Sequence, residues 1–510
     1  MRILIFHGYL LRGTGSNIYN ASLARALARM GHEVHLFCQD RDAGGLDFVD
    51  AVGTWEGGEL QVEELNDEVG VTAYLPDICE ILPVYVADEY EGFKAVRLPD
   101  LDDDAIERYV DANAAAVREV AERSGADVAL ANHLVMGPAI VARAIGDKVP
   151  YAVKVHGSAL EYVVRPNRER FLHYAQEGLD QAGAVLVGSR HTAESLWEVM
   201  DDPDLRERTR LGPPGVDADD FVPLPPAEAR ARARDLADRI EHSSGGWGGE
   251  AGAAEALRRL DPQEERIVGY VGKLIVSKGV DLLLAAWPDV FAEVPDGRLV
   301  IIGFGTFRDG LQDLARALAE GDLDAARDIA ERGRELEGGD RSELSYLKAF
   351  LDGLEGERRD AYVEAASGAF ERVEFTGRLE HGDLPAVLPS FQAQVVPSTF
   401  PEAFGMVAVE AAACGALPMS ASHSGLAEVT RQLEPVVDEE IRPLLSFERG
   451  AGAVEEVARK LTEWLRLDPE TRDRARKALS DEARKRFGWE GVGKGVISAA
   501  QGRLDEVPEP

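Results

Sequence analysis

Glu402 and Glu410 stand eight positions apart within residues 401–415, PEAFGMVAVEAAACG, around the start of an apolar, alanine-rich run. Just upstream, residues 391–399 (FQAQVVPST) have the short, β-branched character of a buried parallel strand and break at Pro397 and Pro401. A helix is therefore expected to begin near Phe404, Gly405, Met406 and Val407. The N–H groups of such a first turn lack intrahelical partners, and together with the helix dipole they attract phosphate or hydroxyl oxygens. Gly405 has no side chain, so a ligand can come close to the backbone there. With Glu402 just before the helix and Glu410 inside it, the carboxylates are roughly 10–12 Å apart along the axis at ~1.5 Å per residue. A diphosphate fits between them, and each carboxylate can accept hydrogen bonds from hydroxyl groups at its own end. In a chain with 92 acidic residues two glutamates at this spacing also arise on any solvated helix face, so the residues around them carry the weight.

Positive charge is expected nearby. Residues 272–279 (GKLIVSKG) follow a strand pattern and precede a helix, the place where ligands sit in open α/β sheets. Lys273 and Lys278 would converge there as compact point charges that stabilise a departing diphosphate. Gly13 and Gly15, in residues 13–17 (GTGSN), lie between the first strand and a helix, so backbone N–H groups can approach phosphates or an acceptor. That stretch and Gly303-Phe304-Gly305 both open like a dinucleotide fingerprint, but neither has the third glycine, and Arg308 occupies its place in the second. His133 ends VALANH and His156 follows YAVKV, each at a strand end; His7 stands beside Gly8. Arg190, after Ser189, suits either a phosphate contact or a helix cap.

The glutamate pair, taken with Pro401, Phe404-Gly405, Glu410-Ala411 and Cys414-Gly415, resembles the E-x7-E element of the retaining family 4 glycosyltransferases, with Ala403 replacing a commoner proline. The resemblance implies a GT-B fold, two facing Rossmann-like domains with a cleft between. It also implies retaining transfer of a sugar from a nucleoside diphosphate donor to a hydroxyl acceptor. In that reading Glu402 holds the sugar and Glu410 the ribose. Phe404, Gly405, Met406 and Val407 lie along the donor. Lys278 carries over directly, whereas Lys273 replaces a family arginine, keeping the charge but losing the bidentate fork. His156 matches a histidine that reaches the donor sugar, His133 lines the pocket, and the loop of Gly13 and Gly15 faces the donor. Arg378 and Leu379, in Thr376-Gly377-Arg378-Leu379, sit where relatives hold the base through backbone groups. Ser424-Gly425 matches a glycine-rich turn beside the sugar, with serine at the first glycine position. No cofactor beyond the donor and no catalytic metal is implied. A GT-B phosphorylase or sucrose-synthase-like enzyme, and a non-catalytic sugar-nucleotide sensor, are the rival expectations; a nicotinamide oxidoreductase fits least.

The elements that must position these residues follow from the rest of the chain. At 510 residues it exceeds one ordinary core and divides most simply into two domains, with 45% hydrophobic residues to fill them. A formal charge of −36 opposes binding to nucleic acid or an anionic membrane. Three cysteines without paired spacing argue against a disulfide framework or zinc site and fit a cytoplasmic protein. The opening MRILIF is too short for a signal peptide, and no run approaches the ~20 apolar residues of a membrane span, which leaves peripheral membrane contact open. Alternating strand and helix patterns give an α/β class with doubly wound parallel sheets. We expect an amino-terminal acceptor-binding domain over 1–215 with an irregular insertion at about 41–100, and a linker over 216–262 that includes a flexible Gly/Ser stretch. A nucleotide-sugar domain over 263–480 follows, interrupted by a helical hairpin at about 318–370. A helix over 481–510 returns to the first domain. Asp102 to Asp104 read as a cap for the helix that follows.

Overall fold

A computed structural model of the chain describes residues 1–13, 15–67, 70–78, 81–86, 93–242 and 252–510. The chain divides into two compact units, one formed by Met1–Gly215 with Phe487–Pro510 and the other by Val216–Arg486.

In the first unit the strands are β1 (Arg2–Phe6), β2 (Glu33–Phe37), β3 (Ala51–Glu56), β4 (Glu59–Glu64), β5 (Val71–Leu75), β6 (Ile81–Val84), β7 (Lys94–Arg97), β8 (Val128–Asn132), β9 (Tyr151–Val155), β10 (Ala184–Val187) and β11 (Thr209–Leu211). Nine of them make one sheet in the order β11-β10-β9-β8-β1-β2-β5-β3-β4, parallel throughout except for the antiparallel β3-β4 pair. β8, β9 and β10 are buried along their whole length, as expected of parallel strands covered on both faces. The order reverses between β1 and β8, which makes their carboxyl ends the topological switch point. Asp102 caps the helix Asp103–Ser124 by accepting the Ala105 N–H at 2.7 Å, and Gly125 closes it with φ +65°. The final helix, Trp489–Ala500, lies against the helix Gly15–Arg29 and strands β8, β9 and β10.

Residues 41–100 are more regular than expected. β3 and β4 form a hairpin turning at Gly57-Gly58, and β5 joins it to β2, so the insertion widens the main sheet; β6 and β7 form a separate parallel pair. The acidic strand β4 concealed this, because only Leu60 of its six residues is buried and the rest face outward.

The second unit holds β12 (Arg266–Val271), β13 (Gly297–Ile302), β14 (Val373–Gly377), β15 (Phe391–Val396), β16 (Leu417–Ala421) and β17 (Ser446–Phe447). Its six-stranded parallel sheet runs β14-β13-β12-β15-β16-β17, the dinucleotide-type order with its switch point between β12 and β15. Trp287 and Trp464, both fully buried, anchor the helices Val280–Glu293 and Ala453–Arg466.

Three expected boundaries change. Residues 318–370 are not one hairpin: the helices Leu323–Arg332, Ser345–Asp352 and Gly356–Ala369 follow Arg308–Ala319, with a short 3-10 turn at Arg334–Glu337. Gly333, Gly338-Gly339 and Gly353 supply the extra breaks. Within the expected linker, Pro226–His242 is a helix that buries Ala229, Ala233, Leu236 and Ala237 and packs on the helix Ala253–Arg259 inside the second unit. The Gly/Ser stretch at 243–251 lies outside the described residues. At the carboxyl end the chain leaves the second unit after the helix Pro469–Arg486, because the arginine-rich helix binds there: Arg484 donates to the Ala218 carbonyl and Arg476 to the Gly415 carbonyl.

Candidate functional site

The second unit gathers its charged residues at the β12/β15 switch point. After β12 the chain makes the 3-10 turn Val276–Lys278; after β15 it runs through Ser398 and Glu402 to the helix Met406–Ala413. The two segments are stitched together by the Thr399 N–H, which donates to the Ser277 carbonyl at 2.9 Å. Gly279 (φ +67°) is required here, since a Cβ would lie 2.1 Å from the Pro397 carbonyl oxygen. Across this seam the Lys278 ammonium pairs with Glu402, and the Ser398 hydroxyl donates to the same carboxylate at 2.5 Å. Burial pushes the Glu402 carboxyl up, but Lys278, Ser398 and His423 outweigh it and hold the group below the usual carboxylate range.

A third loop closes on Glu402 from beyond β16. Ser424 has φ +49°, the left-handed conformation that favours glycine, and its hydroxyl accepts the Glu402 N–H at 2.9 Å. The Gly425 N–H donates to the Glu402 carbonyl at 3.0 Å. His423 in turn contacts the Ser398 carbonyl at 2.7 Å and the Ser424 hydroxyl at 3.0 Å. Serine at the glycine position thus ties the turn to the glutamate. Gly405, at φ +131°, begins the helix, and a Cβ there would meet Leu426 at 2.7 Å.

Glu410 sits inside that helix, 3% exposed, with His381 Nε2 2.8 Å from its carboxylate. Burial lowers the His381 pKa, but Glu410, Asp217 and Asp220 more than reverse it, so the imidazole titrates above its ordinary value. Arg378 stacks over Phe304 with 4.7 Å to the ring centroid and reaches Glu380 at 3.5 Å; Leu379 is buried beside it. Lys273 is exposed at the start of the lysine loop. Phe404 is buried, and Met406 and Val407 are half-buried in the first helical turn.

The remaining expected residues belong to the first unit. His7 after β1, His133 after β8 and His156 after β9 form a buried cluster: His7 stacks on His133 at 5.5 Å, and His133 lies 5.0 Å from His156. His7 is held by Asn17 and Asn20, and His156 by the Asn132 side chain at 2.8 Å. Neither ring nitrogen of His133 has a hydrogen-bond partner among the described residues. Burial lowers all three pKa values, that of His7 to about 4. Gly13 has φ +93° and is exposed before the helix, and Gly15, also exposed, is the first helical residue. Arg190 opens the helix Arg190–Met200 on its surface and pairs with Glu194 at 2.9 Å, while Ser189 makes the cap.

Sequence reasoning brought Lys278, Glu402, Ser424 and Gly425 to one point but missed Ser398, His423 and His381. Ser398 and His423 each stand two residues beyond a strand, a signal that strand-end position alone would have supplied. His381 carried no motif.

Two family models match the chain: "Glycosyl transferase 4-like domain" over residues 14–215 and "Glycosyl transferases group 1" over residues 353–486. The chain belongs to the family 4 glycosyltransferases. Among its curated relatives in the family, a D-inositol 3-phosphate glycosyltransferase of Mycobacterium sp. (strain KMS) is 29% identical over 257 residues, 50% of this chain and 41% of the relative. The match thus spans less than half the length of that relative. A GDP-mannose-dependent alpha-(1-6)-phosphatidylinositol monomannoside mannosyltransferase of Mycolicibacterium smegmatis is 34% identical over 107 residues, 21% of each chain. Solved structures with the same fold include the sucrose-phosphate synthase of Thermosynechococcus elongatus (TM-score 0.56, 19% identity, 99% of both chains). Anabaena HepE, solved with UDP and glucose, is another (TM-score 0.54, 16% identity, 98% of this chain and 99% of that one). This family 4 chain therefore has the GT-B fold class, built from α/β units with parallel sheets. Among the described residues no helix is long and apolar enough to cross a membrane.

Proposed function

We propose that the protein is a retaining glycosyltransferase that moves a sugar from a nucleoside diphosphate donor to a hydroxyl group of an acceptor. The observation that carries this reading is the Lys278–Glu402 pair at the β12/β15 switch point, flanked by Ser398 and Ser424. A donor diphosphate exchanges for Glu402 as the partner of Lys278, which leaves the Glu402 carboxylate to accept from sugar hydroxyls. Lys273 adds charge at the loop entrance, and the N–H groups of the turn at Gly405 and Met406 face the phosphates. Glu410, oriented by His381, takes the ribose hydroxyls; Arg378 and Leu379 lie beside the base. The chemistry asked of the protein is orientation and stabilisation of the leaving diphosphate. No step is assigned to a metal or a resident cofactor, so chelator is expected to leave transfer intact. The buried free thiols Cys38 and Cys414 support work in a reducing cytoplasm.

The test is a thermal-shift screen of UDP-, GDP- and ADP-sugars, the nucleotides carried by the relatives' names and structures, followed by transfer assays that begin with D-inositol 3-phosphate as acceptor. A donor at 100 times its dissociation constant adds about 2.7 kcal/mol of apparent stability. A protein that no nucleotide sugar stabilises would overturn the reading. Stabilisation without transfer to any acceptor would favour a sensor, and phosphate-dependent cleavage without nucleotide a phosphorylase.

A further inference from the structure

The lysine loop receives a contact from a part of the chain that neither family model covers, the stretch between residues 215 and 353. The turn Val276–Lys278 has no capping side chain from its own N-cap residue, Ile275. Its first N–H, that of Val276, is instead taken by the Glu337 carboxylate at 2.8 Å, from 61 residues further along the chain. Glu337 is only 11% exposed, and its other oxygen is held by Arg334 at 3.1 Å. The short turn Arg334–Glu337 is itself fixed, since the Arg334 N–H donates to the Ser342 carbonyl at 3.1 Å. At the opposite end Gly279 is wedged against Pro397. Leu274 is clasped between the Phe304 carbonyl, which its N–H meets at 2.7 Å, and the Phe307 N–H, which its carbonyl accepts at 3.0 Å.

We propose that Glu337 is a positioning residue for the reaction: it caps the lysine turn from the helical insertion and so fixes where Lys278 meets the donor diphosphate. The inference rests on the reading of the site as a nucleoside diphosphate site. A carboxylate beside such a site would by charge alone repel the ligand. Its value therefore lies in the hydrogen bond it accepts, and the two contributions have opposite signs. Without the cap, the Val276 N–H turns to water, the turn loosens, and Lys278 and Lys273 lose their common aim.

Those opposite signs make the test. UDP, GDP and ADP are titrated calorimetrically into the full-length wild-type protein, Glu337→Ala, Glu337→Leu and Glu337→Gln, with thermal unfolding followed for each. Alanine and leucine remove both charge and acceptor, leucine keeping the bulk if the alanine variant is poorly folded; glutamine removes the charge but keeps an acceptor oxygen. Nucleotide affinity is expected to fall roughly five- to tenfold in the alanine and leucine variants and to stay within about twofold of wild type in the glutamine variant. If all variants bind more tightly, Glu337 acts through charge alone; if none differs from wild type, the cap has no bearing on the site. Either result overturns the proposal. Failure of the wild-type protein to bind any of these nucleotides would instead overturn the reading of the site, and the proposal with it.

Discussion

The two units wind their central strands in the same order and bring polar residues to the same place, the carboxyl ends at the switch point, yet they furnish it oppositely. In the second unit the two carboxylates at the switch point each face a cation: Glu402 faces Lys278, and Glu410 faces His381. In the first, the bases at the strand ends face rings and neutral amides: His7 stacks on His133, His156 lies tilted 5.0 Å from His133 and is held by Asn132, and Lys154 donates to the Gly212 carbonyl at 2.5 Å. A shared topology fixes where a site forms, and the side chains at the strand ends set its charge. Ion pairs that can be exchanged suit a charged ligand; neutral imidazoles suit hydroxyl groups. On the proposed reading the diphosphate belongs to the second unit.

The largest effect should come from breaking the ionic side. Lys278→Ala or Glu402→Ala is expected to reduce transfer by about 10²–10³-fold, the scale of losing a group that stabilises developing charge, while the protein remains folded. Steady-state transfer assays with thermal unfolding as control check this. Near-normal turnover in either variant would remove the contrast between the units.

Much of this contrast was legible in the chain, and the exceptions have physical causes. The parallel strands announced themselves as apolar runs, and the residues just after them, Lys278, Glu402, His133 and His156, were readable because strand ends are where such sheets bind. β3 and β4 were not legible, because an edge hairpin with one exposed face carries the charges of a loop. Nor was the link from Glu337 to Val276, since a contact across 61 residues leaves no local pattern. His381 was invisible for the same reason: its role depends on a helix that begins 25 residues later.

A moderate effect is expected at His381. His381→Ala should weaken nucleotide binding about tenfold by releasing Glu410, the scale of a hydrogen bond to a charged group, read by calorimetry. The pH dependence sharpens it. The pKa of His381 is raised above its ordinary 6.5 by Glu410, Asp217 and Asp220, which outweigh burial. The ion pair is therefore fully formed below 6.5 and is lost as pH rises through the raised value. Wild-type affinity should fall on the alkaline side, and His381→Gln, which cannot carry charge, should lack that fall. Identical pH profiles would show that Glu410 is held without the imidazolium.

The first unit should respond in the opposite direction. His7 is lowered to about 4, chiefly by burial, and His133 and His156 are lowered as well. Below about 6.5 the unfolded chain takes up protons that the folded cluster refuses, so stability is complete above that pH and declines as pH falls toward 4. His133→Phe should flatten this decline, seen as melting temperature against pH. A variant as acid-sensitive as wild type would place the loss in the carboxylates.

The smallest effect, and the sharpest test of neutrality, is at Lys154. Burial lowers its ammonium to about 7 from the ordinary 10.5. The protein thus has its full stability from this group only above 10.5 and loses it progressively as pH falls to 7. Lys154→Met removes that penalty and keeps the apolar stem, but it strips the Gly212 carbonyl of its donor, a loss of about 1 kcal/mol, and removes the ammonium 5.4 Å from the Tyr19 ring. The two terms come close to offsetting only near pH 10, where little of the burial penalty is left. The variant is therefore expected to melt a few degrees above wild type near pH 6, where the amine must be charged while buried, and at or below wild type near pH 10. If Lys154→Met instead melts lower across that whole range, the ring of Tyr19 and the Gly212 carbonyl sustain a charged ammonium, and the first unit is as ionic at its centre as the second.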